Sequence, residues 1–226
     1  MRKSRFSRLF NQLLLGSLIA GSLAACTTLD RKNAVPQELT TQSYIEGMPD
    51  VRYKIWSRSG IQAMVDDVRD GQEKPAAFLK PDRASYLALS GGGDNGAFGA
   101  GLLTGWTERG DRPEFSLVTG VSTGAMIAPF AYLGSDYDYV LKRTFTDVDQ
   151  RDIFITLGLT GALFGDAFAD TTPLYQLISE FITPELLQKI AFEYTVRNRW
   201  LVVATTNLDA GVPVMWNMGK LAAVGT

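Results

Sequence analysis

The 226-residue chain is predicted to fold as an α/β domain around a central, mainly parallel sheet. Three features of the sequence predict it. Ser85-Tyr86-Leu87-Ala88-Leu89-Ser90 reads as a short apolar strand, followed by the run Gly91-Gly92-Gly93-Asp94-Asn95-Gly96 and a glycine-bearing helix from Ala97 to Trp106. Phe115-Ser116-Leu117-Val118-Thr119 repeats the pattern as a short buried strand, with Gly120-Val121-Ser122-Thr123-Gly124 as its turn and a helix rich in small and apolar residues from Ala125 to Tyr132. Two strand-turn-helix units in succession imply parallel neighbours. Trp200 to Thr206 then returns as another buried strand.

The elements follow in order from the N-terminus. Arg2, Lys3, Arg5 and Arg8 form a basic segment, Leu13 to Ala20 is apolar, and small residues lead to Cys26, the single cysteine. That order is a signal peptide, whose apolar run is too short for a convincing bilayer span. Leu23-Ala24-Ala25-Cys26 resembles the bacterial lipobox, in which cleavage leaves the cysteine as a lipidated first residue. The resemblance implies a membrane anchor at Cys26 in a bacterial cell envelope, and Thr27 in place of an aspartate implies the outer membrane. The competing reading is an ordinary signal peptide, with Cys26 incidental or a buried thiol. Residues 1–26 are thus the leader, 27–58 a polar tether and N-terminal segment, and 59–226 the folded domain.

Ser59 to Asp70 reads as a capped helix, with Ile61, Met64, Val65 and Val68 at core spacing. After the two strand-turn-helix units, Tyr139-Val140-Leu141 falls in a short helix. Ile153 to Phe168 is apolar and broken by Gly158, Gly161 and Gly165. We read this stretch as core, with a mobile cover over the site as the alternative. Asp170-Thr171-Thr172-Pro173 opens a helix through Ile182, and Thr183-Pro184-Glu185 opens another with good N-cap chemistry. Val212 to Trp216 follows the Trp200 strand across Asp209-Ala210-Gly211, a hairpin turn.

Composition excludes several function classes. A net charge of −2 without a basic tract argues against a nucleic-acid partner. One cysteine permits no internal disulfide. With no histidine, only carboxylates could hold a metal, and none has calcium-loop spacing, so neither a metal nor another cofactor is implied.

Gly120-Val121-Ser122-Thr123-Gly124 lies where a strand would turn into a helix. A serine between two glycines there is a nucleophile elbow, whose tight turn holds Oγ clear of the backbone. The alternative is that Gly120 and Gly124 permit a close turn and Ser122 merely caps the helix. In the usual triad an imidazole takes the hydroxyl proton. A chain with no histidine needs another base, and a carboxylate bonded to the serine is the simplest replacement. The amides of Gly91, Gly92, Gly93 and Gly96, at a helix N-terminus, form a cradle for an oxyanion or a phosphate. Gly91-x-Gly93-x-x-Gly96 also satisfies the dinucleotide fingerprint. A nucleotide site would need an acidic residue at the end of the second strand, whereas Asp111 and Glu114 precede that strand and Ser122 follows it.

Taken together, Leu87-Ala88-Leu89-Ser90-Gly91-Gly92-Gly93, Gly96-Ala97-Phe98-Gly99-Ala100-Gly101-Leu102-Leu103 and Thr119 to Gly124 resemble the patatin-like phospholipases. Members carry a G-x-G-x-x-G oxyanion loop, a G-x-S-x-G nucleophile and a later Asp-Gly-Gly or Asp-Gly-Ala motif whose aspartate completes a Ser-Asp dyad. Thr205 to Val214 resembles the strand, turn and strand that the family places between nucleophile and aspartate. The resemblance covers Tyr86 onward. It implies a three-layer α/β fold, Ser122 as nucleophile, an oxyanion hole from the Gly91–Gly96 loop, and a lipid or phospholipid acyl ester as substrate.

The sequence departs from that pattern twice. Many relatives carry a basic residue in the oxyanion loop where this chain has Asn95, a donor that offers no full charge to a phosphate. No Asp-Gly-Gly or Asp-Gly-Ala follows Ser122 before Thr226, and Asp209-Ala210-Gly211 comes nearest. We read Asp209 as a turn residue and only secondarily as the base, and expect the catalytic aspartate to lie beyond Thr226. The expectation is a membrane-anchored serine acyl-ester hydrolase. Its rivals are a non-catalytic membrane-anchored binding module that keeps the fold and, more remotely, a dinucleotide-binding protein.

Overall fold

The computed structural model describes residues 36, 39–40, 42, 44–48, 50–73, 84–146, 155–156, 169–170, 172–208 and 210–225. From Gln37 onward the chain forms one compact unit. Its elements are β1 (Arg52–Tyr53), α1 (Arg58–Glu73), β2 (Tyr86–Leu89), a 3-10 turn (Gly93–Asn95), α2 (Gly96–Arg109), β3 (Leu117–Val121) and α3 (Thr123–Leu133). After these come α4 (Asp138–Thr146), β4 (Ile155–Thr156), β5 (Ala169–Asp170), α5 (Thr172–Phe181), α6 (Pro184–Thr195), β6 (Trp200–Asn207), β7 (Val212–Asn217) and α7 (Met218–Gly225).

The main sheet has the order β1-β7-β6-β3-β2. β2 pairs with β3, and β3 with β6, in parallel; β7 runs antiparallel to both β6 and β1. Four of its five strands therefore point one way and β7 alone points back, the mainly parallel α/β sheet expected from the sequence. Alternation along the strands divides the core between two faces. Val118 and Leu201 join Leu103, Ile127, Tyr132, Leu141 and Ile190 under the central helices. Leu117, Trp200 and Val202 join Tyr53 and, from α1, Met64 and Val68 on the other face. Helices thus cover both faces of the sheet. α3 lies deepest, with Ala128 and Tyr132 wholly buried, which accounts for its apolar composition all round.

Several sequence expectations shift by small amounts. β3 begins at Leu117, two residues after the expected start, and Phe115 ahead of it packs its ring edge-on against Trp106 at 6.0 Å. In α1, Met64 and Val68 face the core, but Ile61 and Val65 are 46% and 40% exposed, since only one stripe of the helix meets Tyr53 and Trp200. The sheet also reaches ahead of residue 59: Arg52 and Tyr53 pair with Trp216 and Met215. The Thr183 cap is as read, its hydroxyl accepting from the Leu186 amide at 3.3 Å with Pro184 opening α6. Of the apolar stretch from Ile153 to Phe168, only Ile155 and Thr156 are described, paired with Asp170 and Ala169. Its three glycines, Cys26 and Asp209 lie outside the described residues.

A polar network ties down the end of the sheet where β3 and β6 begin. Buried Arg199 donates to the carbonyls of Phe115 at 2.8 Å and Tyr132 at 2.5 Å and to Glu193 at 2.7 Å, while Tyr132 Oη donates back to the Arg199 carbonyl at 2.9 Å. A cavity of about 360 Å³, lined by Arg112, Glu114, Gly134 and Arg199 among others, opens there, at the opposite end of β3 from Ser122. Among the described residues no helix is long and apolar enough to cross a membrane, and no cluster of His, Cys, Asp or Glu could hold a metal ion.

Candidate active site

Ser122 occupies the single residue between the end of β3 and the start of α3. Its backbone sits at φ 53° and ψ −125°, a conformation that costs a residue with a Cβ roughly 1–3 kcal/mol. The side chain makes no capping hydrogen bond to the helix it precedes, and the residue is exposed. Ser122 therefore stands at the N-cap position without its hydroxyl capping the helix. The turn holds because its backbone carbonyl accepts from the Ala125 amide at 2.9 Å.

Two glycines make so sharp a turn possible through close approach. A Cβ on Gly120 would overlap the Gly124 carbonyl and lie 2.8 Å from Ala125 Cα. A Cβ on Gly124 would overlap the Leu89 carbonyl and lie 2.8 Å from the Ser90 carbonyl oxygen. The elbow is thus pressed against the end of β2, the strand that carries the glycine run. A Cβ on Gly91 would come within 2.8 Å of Ser122 Cβ and 3.4 Å of its Oγ. Two motifs about thirty residues apart in sequence meet backbone to side chain at the carboxyl ends of β2 and β3.

The loop's own hydrogen bonds sort its amides. Asn95 N–H donates to the Gly92 carbonyl at 3.1 Å, and Gly96 N–H is directed at the carbonyls of Gly93 and Asp94. Those two amides are engaged within the turn, which leaves Gly91, Gly92, Gly93 and Asp94 as the amides the loop can offer a ligand. Gly96 is buried and serves by its size, since a Cβ there would overlap Thr123 Cγ2 and approach Phe145 Cε1 to 2.9 Å. The Asn95 side chain does not cap α2; its Nδ2 lies 3.8 Å from where a Gly92 Cβ would stand, on the loop itself.

Thr123 was not singled out by sequence reasoning. Its hydroxyl donates to the Gly93 carbonyl at 3.1 Å, across 30 residues of sequence. A threonine inside the serine pentapeptide carries no sequence signal of that partner, which becomes visible only once β2 and β3 are side by side. The register Val121↔Ala204 leaves β6 running on to Asn207, so the turn to β7 lies at the same end of the sheet as Ser122. There the Ala210 amide donates to Asn207 Oδ1 at 3.2 Å, a side-chain-closed turn.

The strand-turn-helix at Ser122 is a hydrolase elbow in form. β3 leads directly into this turn, and no acidic residue stands at its end to receive a ribose, so a dinucleotide site does not fit. A family model for patatin-like phospholipase matches residues 87–214, from β2 into β7 and so across the glycine loop, the elbow and the β6–β7 hairpin. None of the curated proteins matches the chain, and neither does any solved structure. The matched region is more than half of the sequence, and the chain belongs to the patatin-like phospholipase family, a family of lipid acyl hydrolases.

Proposed function

We propose that this protein is a serine acyl-ester hydrolase acting on lipid substrates, with Ser122 as nucleophile and the Gly91–Gly96 loop as oxyanion hole. The observation that carries the proposal is the strained, uncapped and exposed Ser122 with Gly91 backed against its Cβ. A strained backbone persists where surrounding structure holds it in place, and such residues concentrate at reactive sites.

In the first step, Ser122 Oγ attacks the ester carbonyl while its proton passes to a carboxylate base, and the carbonyl π electrons move onto oxygen. The oxyanion is met by amides from among Gly91, Gly92, Gly93 and Asp94, just ahead of α2, with the Asn95 carboxamide as a further donor. Collapse expels the alcohol with the proton returned by the base, leaving an acyl-serine that water hydrolyses by the same steps. In the family the base is the aspartate of an Asp-Gly motif, and a carboxylate takes that role in the proposed step. Asp209 is the secondary candidate, and the Asn207–Ala210 hydrogen bond favours a turn role for that segment.

The protein is further proposed to sit in a bacterial envelope, held by lipid at Cys26, most simply at the outer membrane. A neutral loop residue, Asn95, suits an ester whose reacting end carries no phosphate. Hydrolysis of a short-chain p-nitrophenyl ester and of a diacylglycerol, compared with a phosphatidylglycerol of the same chains, tests the function. Ester cleavage that Ser122→Ala abolishes supports it. Cleavage unaffected by that change would remove Ser122 as nucleophile, and no cleavage of any of the three by protein expressed from its own gene favours a binding module on the hydrolase fold. Loss of cleavage in Asp209→Asn with the fold intact would make Asp209 the base.

A further inference from the structure

We propose that Thr123 is the positioning residue that sets the oxyanion loop against the nucleophile; this rests on the serine-hydrolase reading above. Four observations converge on it. Its hydroxyl donates to the Gly93 carbonyl at 3.1 Å, joining the elbow to the loop by a side-chain bond. Gly93 is the loop residue with positive φ, +55°, so the peptide plane held by that bond is the one at the bend. The same carbonyl is approached by the Gly96 amide, which links Thr123 to the first turn of α2. The Thr123 methyl fills the space that a Cβ on Gly96 would take, beside Phe145 of α4.

The two branches of the side chain divide the work. A β-branched residue has few χ1 choices. With Cγ2 seated between Gly96 and Phe145, the hydroxyl is directed onto Gly93 without searching other rotamers. In a trans peptide the C=O and the next N–H point in opposite directions. Fixing the Gly93 carbonyl on Thr123 therefore fixes the direction of the Asp94 amide, one of the four the loop can offer. An oxyanion hole works by having its donors aimed before the charge develops. Thr123 supplies that aim from the nucleophile's own turn, so the serine and the donors are set by one residue.

The test uses the protein expressed from its own gene, with Thr123→Val, which keeps the branched shape and removes the hydroxyl, and Thr123→Ser, which keeps the hydroxyl. Ester hydrolysis by Thr123→Val is expected to fall about tenfold in kcat with KM unchanged, the scale of one positioning hydrogen bond, and Thr123→Ser is expected to recover most of it. Amide hydrogen exchange across residues 91–96 is expected to speed up in Thr123→Val and return toward wild type in Thr123→Ser. A Thr123→Val protein with wild-type kcat, or with kcat lost equally in Thr123→Ser, overturns the assignment. Wild-type protein with no Ser122-dependent hydrolysis would instead sink the hydrolase reading. The exchange measurement still decides the clamp in that case, because unchanged exchange in Thr123→Val overturns it.

Discussion

Gly91 and Ser122 meet so closely that a methyl on the first would lie 2.8 Å from Cβ of the second. The contact brings the loop at the end of β2 and the elbow at the end of β3 into one site. It also predicts how two glycine substitutions differ. Gly91→Ala meets a side chain in an exposed loop, so it is expected to lower kcat on the order of a hundredfold by displacing the donors from the nucleophile, with little loss of thermal stability. Gly124→Ala meets the backbone of Leu89 and Ser90, which cannot give way, and is expected to lower stability by about 1–3 kcal/mol as well as activity. Melting curves beside initial rates check both.

At the other end of the sheet, Arg199 is expected to act on stability and not on chemistry. Its guanidinium is buried among the carbonyls of Phe115 and Tyr132 and the carboxylate of Glu193. Arg199→Met leaves the Phe115 and Tyr132 carbonyls without this donor and Glu193 with Arg197 alone, and is expected to cost about 3 kcal/mol. Denaturant unfolding would measure the loss, while kcat at a temperature where the variant stays folded should match wild type.

Alkaline pH should weaken the joint between α1, α6 and the C-terminal elements. Tyr53 donates to Asp67 and accepts from Asn217 Nδ2 at 3.2 Å, and Lys220 Nζ pairs with both Asp67 oxygens at 2.6 Å. Burial, with the Asp67 charge behind it, pushes the neighbouring Tyr194 phenol up to about 12 from its ordinary 10.0. Burial raises Tyr53 as well, aided by its bond to Asp67. Above pH 10 the unfolded chain releases these protons while the folded protein keeps them, so stability is full below pH 10 and declines as pH rises toward 12. Tyr194→Phe removes one such group. Its melting temperature should fall less steeply than wild type between pH 10 and 12, and equal slopes would count against the assignment.

Much of the site was legible because its motifs are local. The strand before each glycine turn, the helix after it and the Thr183 cap each depend on residues within a few positions of one another, where backbone preference and apolar spacing act directly. The features that were not legible depend on distant partners. Thr123 finds Gly93, Gly96 is kept small by Thr123 and Phe145, and Arg52–Tyr53 joins the sheet through a strand near the other end of the sequence. Ile61 and Val65 had the spacing of core residues, but periodicity says only that a helix has an apolar stripe. How wide a stripe is covered depends on the neighbour, and Met64 and Val68 alone reach it.

The lipid anchor is expected to hold the protein in detergent phases through Cys26. Cys26→Ser should release it to the aqueous phase and abolish incorporation of labelled fatty acid. A wild-type protein that loses its leader yet remains soluble and unlabelled would rule the anchor out.

The central claim is that Ser122 is the nucleophile, and covalent capture tests it most directly. Protein expressed from its own gene, treated with a fluorophosphonate and digested, is expected to carry the adduct on the peptide containing Ser122. Ser122→Ala is expected to lose labelling and ester hydrolysis together while keeping the wild-type melting temperature within a few degrees, since alanine keeps the Cβ and with it the same turn, and only an exposed hydroxyl that caps nothing is lost. An adduct on any other residue, or hydrolysis that survives Ser122→Ala at near the wild-type rate, would contradict it.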